Sequence, residues 1–329
     1  MAWIKLSLDT THEAVDWVRS LLAGVGYVEE LQIREYVALS TESVEGETVG
    51  SNPNETDWAF SLDLYLRQDF QARGRIDTIL NPLSSLQRTG LISEPSIETV
   101  EAKSSADQSE ALIHRIGGRF VVLSPQASYE PIQADEIPLR LPPSLAFGSG
   151  LHPATILSLQ LLERHVVPGM RVLDLGSGSG ILSVAIAKLG GQVVALDNDP
   201  IAVEATQAAV DQNQVSEQVT VMAGSLGNGN QMGHWMGGRV VETVSGMDAM
   251  DAIADFDLIV ANILARIHIA LAKDYHRALR QIHQNPGLLI TAGFTTDYTD
   301  EVVTALTVPG FTVLDRAQLD EWIALTYRL

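Results

Sequence analysis

The sequence predicts a two-part α/β protein: a small α+β unit, then a larger domain on a doubly wound, mostly parallel sheet. Three observations carry this. From about residue 144, helical patterns alternate with short apolar strands, as in parallel sheets covered on both faces. A glycine-rich turn, DLGSGSG (174–180), joins one of those strands to the next helix. The first hundred residues instead repeat strand–helix–strand twice.

In that first unit, WIKLSL (3–8) alternates as a strand. HEAVDWVRSLLAGVGY (12–27) is an amphipathic helix, with Ala14, Val15, Val18, Leu21 and Leu22 on one face and Gly24 near its end. A strand follows near 31–39, then a polar, turn-rich stretch over 40–57. Residues 58–66 alternate as a strand, 72–90 read as a helix bent near Pro82, and 96–102 close the unit as a strand. The order βαβ–βαβ predicts a ferredoxin-like split fold. The expected boundaries are a domain over 1–102, a linker with one strand (119–125) over 103–143, and a second domain over 144–329.

In the second domain the expected elements are helix 153–165, strand 171–175, helix 179–189, strand 192–197, helix 199–213 and strand 218–223. Strand 256–261, helix 264–282, strand 287–294 and helix 298–307 follow. The end, 311–329, reads as two strands in an antiparallel hairpin. Such a finish is unusual for dehydrogenases and usual for class I methyltransferases. Residues 226–251 form a Gly- and Met-rich insert, far longer than the connections normal there. It reads either as a mobile loop beside the site or as disorder without function.

The 329 residues suit two domains, and 46% hydrophobic residues supply apolar material for two cores. No stretch approaches the roughly 20 apolar residues of a membrane span. The first residues lack a signal-peptide pattern, and the expected compartment is the cytoplasm. The absence of cysteine excludes disulfides, thiolate nucleophiles and Cys-ligated metal. The histidines show no spacing that suggests a metal site. A net charge of −20 disfavours nucleic-acid binding and suits a basic partner, although solubility alone explains an acidic surface equally well.

Three strand ends carry the chemistry. Gly176, Gly178 and Gly180 let the backbone turn tightly and approach a ligand, and the helix after them offers unpaired N–H groups. A nicotinamide-binding G-x-G-x-x-G would need glycine at 181, where Ile181 stands. The pattern is D-x-G-x-G-x-G, beginning at Asp174. Asp197 ends the next strand about 20 residues beyond the turn, placed to accept bonds from ribose hydroxyls. Asp199 with Pro200 reads as a helix cap. Asn262 ends the fourth strand, where it can hold a cofactor, accept a bond from an amine, or cap the following helix. Ile263 and Leu264 stand where an N-P-P-Y motif has prolines, which disfavours adenine or glutamine-amide methylation. Upstream, LAFGSGLHPAT (145–155) places Gly148, Gly150 and His152 before a Pro-started helix. His152 is a candidate proton acceptor or simply part of the helix start.

In order along the chain, LAFGSGLHPAT, LDLGSGSGILSVAIAKLG, LDNDPIAVEAT, VANIL and DEWIAL resemble PrmA-type ribosomal protein methyltransferases. The resemblance covers about 144–329, and more loosely HRIGGRFVVLSP (114–125). It implies a Rossmann-like class I methyltransferase domain and an N-terminal substrate-recognition domain. S-Adenosylmethionine is the implied cofactor, and methyl transfer to lysine side chains and the terminal amine of ribosomal protein L11 the implied activity. Implied cofactor positions are Thr155, Gly176, Asp197 and Asn262, with Phe147, Gly148, Asp174 and Gly178 completing the candidate set. Asn262 and His152 are the catalytic candidates; no metal is expected.

The chain departs from the family pattern at Ser149 and Ala154, at 103–112, where a tryptophan-containing stretch is missing, and in the 226–251 insert. Those departures bear on the substrate. Methylation of another protein or a small molecule, and non-catalytic S-adenosylmethionine binding, are the alternatives.

Overall fold

A computed structural model describes residues 2–12, 14–25, 27, 31–36, 58–101, 113–123, 127–142, 148, 150–227, 249–250, 253–282 and 285–329. The chain forms two compact units, Met1–Leu112 and Ile113–Leu329.

The first unit runs β1 (Trp3–Thr10), α1 (Ala14–Gly24), β2 (Leu31–Glu35), β3 (Phe60–Arg67), α2 (Ala72–Arg88) and β4 (Ser96–Val100). Its sheet has the order β2-β3-β1-β4 with all neighbours antiparallel, the ferredoxin-like arrangement expected from the element order. Alternation sets the register. Leu6 pairs with Leu64 and Leu8 with Leu62, so the buried side chains of both strands share one face. Helix α1 buries Ala14, Val15, Val18 and Leu22, and α2 buries Ala72, Ile79 and Leu83. Pro82 lies inside α2. The polar stretch 40–57 lies outside the described residues.

The second unit begins with three short strands: β5 (Ile113–Ile116), β6 (Phe120–Leu123) and β7 (Ile137–Arg140). β5 and β6 form a hairpin, and β7 pairs with β6 in parallel. The sequence pattern suggested one strand in a tether. The structure instead buries Ile116, Phe120, Val122, Ile137, Leu139 and Leu141 in the core of this unit. The edge of β7 is occupied by one side chain. Asn213 accepts the Arg140 N–H through Oδ1 at 3.0 Å and donates from Nδ2 to the Arg140 carbonyl at 2.6 Å.

The larger sheet is built from α3 (Pro153–His165), β8 (Arg171–Leu175), α4 (Ile181–Lys188), β9 (Gln192–Asp197), α5 (Pro200–Gln212) and β10 (Val219–Ala223). Then come the short β11 (Ser225–Leu226) and β12 (Ala249–Met250), followed by β13 (Leu258–Asn262) and α6 (Ala265–Ala278). The short β14 (Gln281–Ile282) and β15 (Asn285–Pro286) precede β16 (Leu288–Thr295), α7 (Thr299–Thr307), β17 (Thr312–Leu319) and β18 (Trp322–Arg328). Seven strands pair in the order β10-β9-β8-β13-β16-β18-β17. The first five run parallel, and the terminal hairpin enters with β18 antiparallel to β16. Both faces are covered, which explains the unbroken apolar strands. Val172, Val260 and Ile290 point into one core, and their neighbours Leu173, Ile259 and Leu289 into the other.

Two details differ from the sequence pattern. Helix α6 stops at Ala278, short of the expected 282, because the chain turns to pair Arg280 N–H with the Phe256 carbonyl at 2.9 Å. The long insert leaves and re-enters through β11 and β12, which pair in parallel. Residues 228–248 and 251 of it lie outside the described residues. Its first described neighbour, Gly227, abuts Asp274. That contact is about 13 Å along α6 from Ala265, toward the end of the helix away from Asn262. Among the described residues no helix is long and apolar enough to cross a membrane.

Candidate functional site

Asp197, Gly176 and Asn262 come to one level of the sheet. β8 lies between β9 and β13, and Leu175 pairs with Leu196 on one side and Ala261 on the other. The three candidate residues are each one position further along their strands. Neighbouring strands are about 4.8 Å apart, so strand register alone makes them a contiguous rim where the parallel strands end.

The glycine turn is built to come close to a ligand. Gly176, Gly178 and Gly180 have φ of 76°, 56° and 81°, in the region that favours glycine. Thr206 on α5 holds the turn, donating from Oγ1 to the Gly178 carbonyl at 3.0 Å, with Ser177 Oγ 2.9 Å away. Asp197 holds it from the other side, accepting the Gly178 N–H at 2.9 Å and the Asp199 N–H at 3.0 Å. Asp199 itself caps α5, accepting the Ile201 N–H at 2.9 Å.

Two buried acids dominate the electrostatics. Asp197 is 6% exposed, and burial pushes its carboxyl up to about 6, with the backbone N–H bonds opposing. Asp174 is fully buried and is pushed up to about 7 by burial, with the Ser183 hydrogen bond opposing and the charge of Asp197 adding to the rise. Ser183 donates to Asp174 Oδ2 at 2.6 Å, while Oδ1 is buried without a hydrogen-bond partner.

The upstream cluster joins the same site. Ser179, inside the glycine turn, donates from its hydroxyl to the carbonyl of Gly148. Phe147 and Ser149 lie outside the described residues. Pro153 opens α3, and Thr155 stands in its buried first turn. The Asn262 side-chain amide donates to Thr155 Oγ1 at 3.2 Å, leaving Asn262 Oδ1 buried without a hydrogen-bond partner. The capping alternative for Asn262 is not the one adopted: α6 starts after Leu264 with no side-chain cap.

His152 takes its structural role. Its Nδ1 accepts the Ala154 N–H at 3.1 Å as the N-cap of α3, and its ring meets Trp322 edge-on at 4.4 Å. A neutral imidazole has one acceptor nitrogen. With Nδ1 capping the helix, Nε2 carries the proton, and the ring has no second lone pair for an amine proton. The cap is the helix-start role, one of the two readings of His152.

Sequence reasoning did not single out Ser179, Ser183 and Thr206. Ser179 sat in a motif read for its glycines. Ser183 and Thr206 carry no local signal, since their partners are on other elements.

The residues present suit S-adenosylmethionine. Two buried carboxylates attract a cation, the orphaned oxygens of Asp174 and Asn262 await donors, and the glycine turn presents backbone to a ligand. No group of three or more potential metal ligands occurs among the described residues.

Known proteins match the chain over nearly its whole length. The model of a family described as "Ribosomal protein L11 methyltransferase (PrmA)" matches residues 2–329. A ribosomal protein L11 methyltransferase of Chloroflexus aurantiacus is 38% identical over 99% of this chain and 98% of its own. One from Herpetosiphon aurantiacus is 36% identical over 100% and 99%. Among solved structures, a ribosomal protein L11 methylase from Lactobacillus delbrueckii subsp. bulgaricus is 26% identical, with a TM-score of 0.51 over 65% of this chain and 97% of its own.

Proposed function

The chain belongs to the ribosomal protein L11 methyltransferase (PrmA) family, and on that premise we propose that it methylates amines of L11, lysine side chains and the terminal amine, in the cytoplasm. S-Adenosylmethionine is the cofactor of this protein methyltransferase. The observation that supports the reading most is the alignment of Gly176, Asp197 and Asn262 across three adjacent strand ends.

Bound S-adenosylmethionine supplies an electrophilic methyl group on a sulfonium. What falls to the chain is positioning and exclusion of water. Asp197 would hold the ribose hydroxyls, and the glycine turn would offer its backbone to the cofactor. Asp174 and Asp197 make the pocket favourable for a cation. Asn262 Oδ1 accepts a hydrogen bond from an amine, with its amide held by Thr155. A lysine attacks only when neutral, and its ordinary pKa is about 10.4. Desolvation and a neighbouring positive charge both lower it, so the site needs no strong base. That agrees with His152 serving as a cap. The N-terminal unit is assigned to recognition of the basic protein substrate, which the chain's net charge of −20 favours electrostatically.

The test is transfer of labelled methyl groups into ribosomal proteins from a strain lacking the enzyme, with mass spectrometry of the acceptor. Label on amines of L11 is expected. Label confined to another protein, or to a non-amine atom, overturns the reading.

A further inference from the structure

Helix α6 begins without a side-chain cap, yet the strand end before it has to hold Asn262 in place. A fully buried histidine, His268, stands one turn into the helix. His268 Nε2 lies 2.9 Å from the Ala292 carbonyl, and Nδ1 lies 3.2 Å from the Tyr275 hydroxyl. A carbonyl only accepts, so Nε2 carries the proton and Nδ1 accepts from Tyr275. Burial lowers the His268 pKa to about 4, with backbone hydrogen bonds at Ala292 and Ile263 opposing, so the ring is neutral.

The Ala292 carbonyl is the hinge point. It also accepts the Ile263 N–H at 3.0 Å, and Ala292 pairs with Asn262 across β13 and β16. The next residue, Gly293, has φ of 91° and lies so close to Ile263 that a Cβ would come within 2.5 Å of its carbonyl oxygen. One carbonyl therefore ties α6 to the peptide immediately after Asn262. Edge-on contact with Phe294, 5.5 Å between ring centroids, fixes the imidazole plane.

We propose that His268 is a positioning residue for the methyl-transfer site, setting the Asn262 side chain through the Ala292 carbonyl and the Ile263 peptide. It rests on the proposed role of Asn262 at the cofactor and acceptor.

The test is a double-mutant cycle on the full chain, read as S-adenosylmethionine affinity by calorimetry and as kcat against KM for the protein acceptor. His268→Leu is expected to weaken cofactor affinity and lower kcat by about tenfold in the wild-type background, and to add nothing in an Asn262→Ala background. His268→Gln restores an N–H donor and is expected to recover most of the loss, which keeps the test decisive if the leucine variant does not fold. Equal losses in both backgrounds, or a glutamine variant as impaired as the leucine one while fully folded, overturn the proposal. An Asn262→Ala variant with wild-type affinity and kcat overturns the role of Asn262 and this inference with it.

Discussion

The side-chain amide of Asn262 donates to the hydroxyl of Thr155 at 3.2 Å, joining the end of β13 to the first turn of α3 across 107 residues of sequence. Replacing Thr155 by valine keeps the shape and removes the acceptor. The half-buried amide then lacks this partner, at a cost of about 1 kcal/mol. Chemical denaturation is expected to show a loss of that size, and calorimetry a weaker S-adenosylmethionine complex. A variant with unchanged stability and unchanged affinity would mean the pair holds nothing in place.

Asp197 accepts two backbone N–H groups and has further lone pairs for ribose hydroxyls. Asp197→Ala is expected to weaken S-adenosylmethionine binding by more than about 1 kcal/mol, because charge-assisted bonds are lost. Unchanged affinity by calorimetry removes Asp197 from the binding set.

The two buried acids give a pH dependence with a definite sign. The folded-state values, about 7 for Asp174 and about 6 for Asp197, lie above the ordinary 3.8. Between about pH 4 and 7 the folded chain holds more protons than the unfolded one, so their contribution to stability falls as pH rises through that window. Asp174→Asn cannot ionise. Its stability relative to wild type is expected to be more favourable at pH 8 than at pH 5 in urea titrations. A bound cation favours the ionised acids, so cofactor affinity is expected to rise from pH 5 to 8, with proton release seen in buffers of different ionisation enthalpy. A flat affinity profile with no proton release contradicts the assignment.

Ser179 is the direct link between the glycine turn and the upstream cluster, through the Gly148 carbonyl. Ser179→Ala is expected to destabilise the chain by about 1 kcal/mol and to raise KM for S-adenosylmethionine more than it changes kcat. An unchanged KM in steady-state assays would separate the 145–155 segment from cofactor binding.

Much of this site was legible because strand ends announce themselves. Gly176, Asp197 and Asn262 each follow an apolar strand and precede a helix, so position along the chain fixes position in the sheet. The order of the N-terminal elements likewise fixed its strand order. The strands over 113–141 were harder to read. β5, β6 and β7 have four residues each, and β7 contains Pro138, so period-2 alternation is too short to separate a paired strand from extended chain. His268 was opaque for another reason. Its meaning comes from Ala292, 24 residues away, and an amphipathic helix gives no hint of which strand carbonyl its buried face will meet. His152 showed the converse: the residue was found, but only geometry reveals which ring nitrogen is committed.

The Asn213 side chain against β7 has a consequence for the molecule in concentrated solution. A carboxamide that donates and accepts at once imitates the peptide group of a neighbouring strand. At Arg140 it fills the place where another chain would otherwise begin to zip on. A three-stranded sheet can thus end in mid-surface without offering a template for self-association there. Exchanging Asn213 for leucine would reopen that template, and it would show first as concentration-dependent assembly.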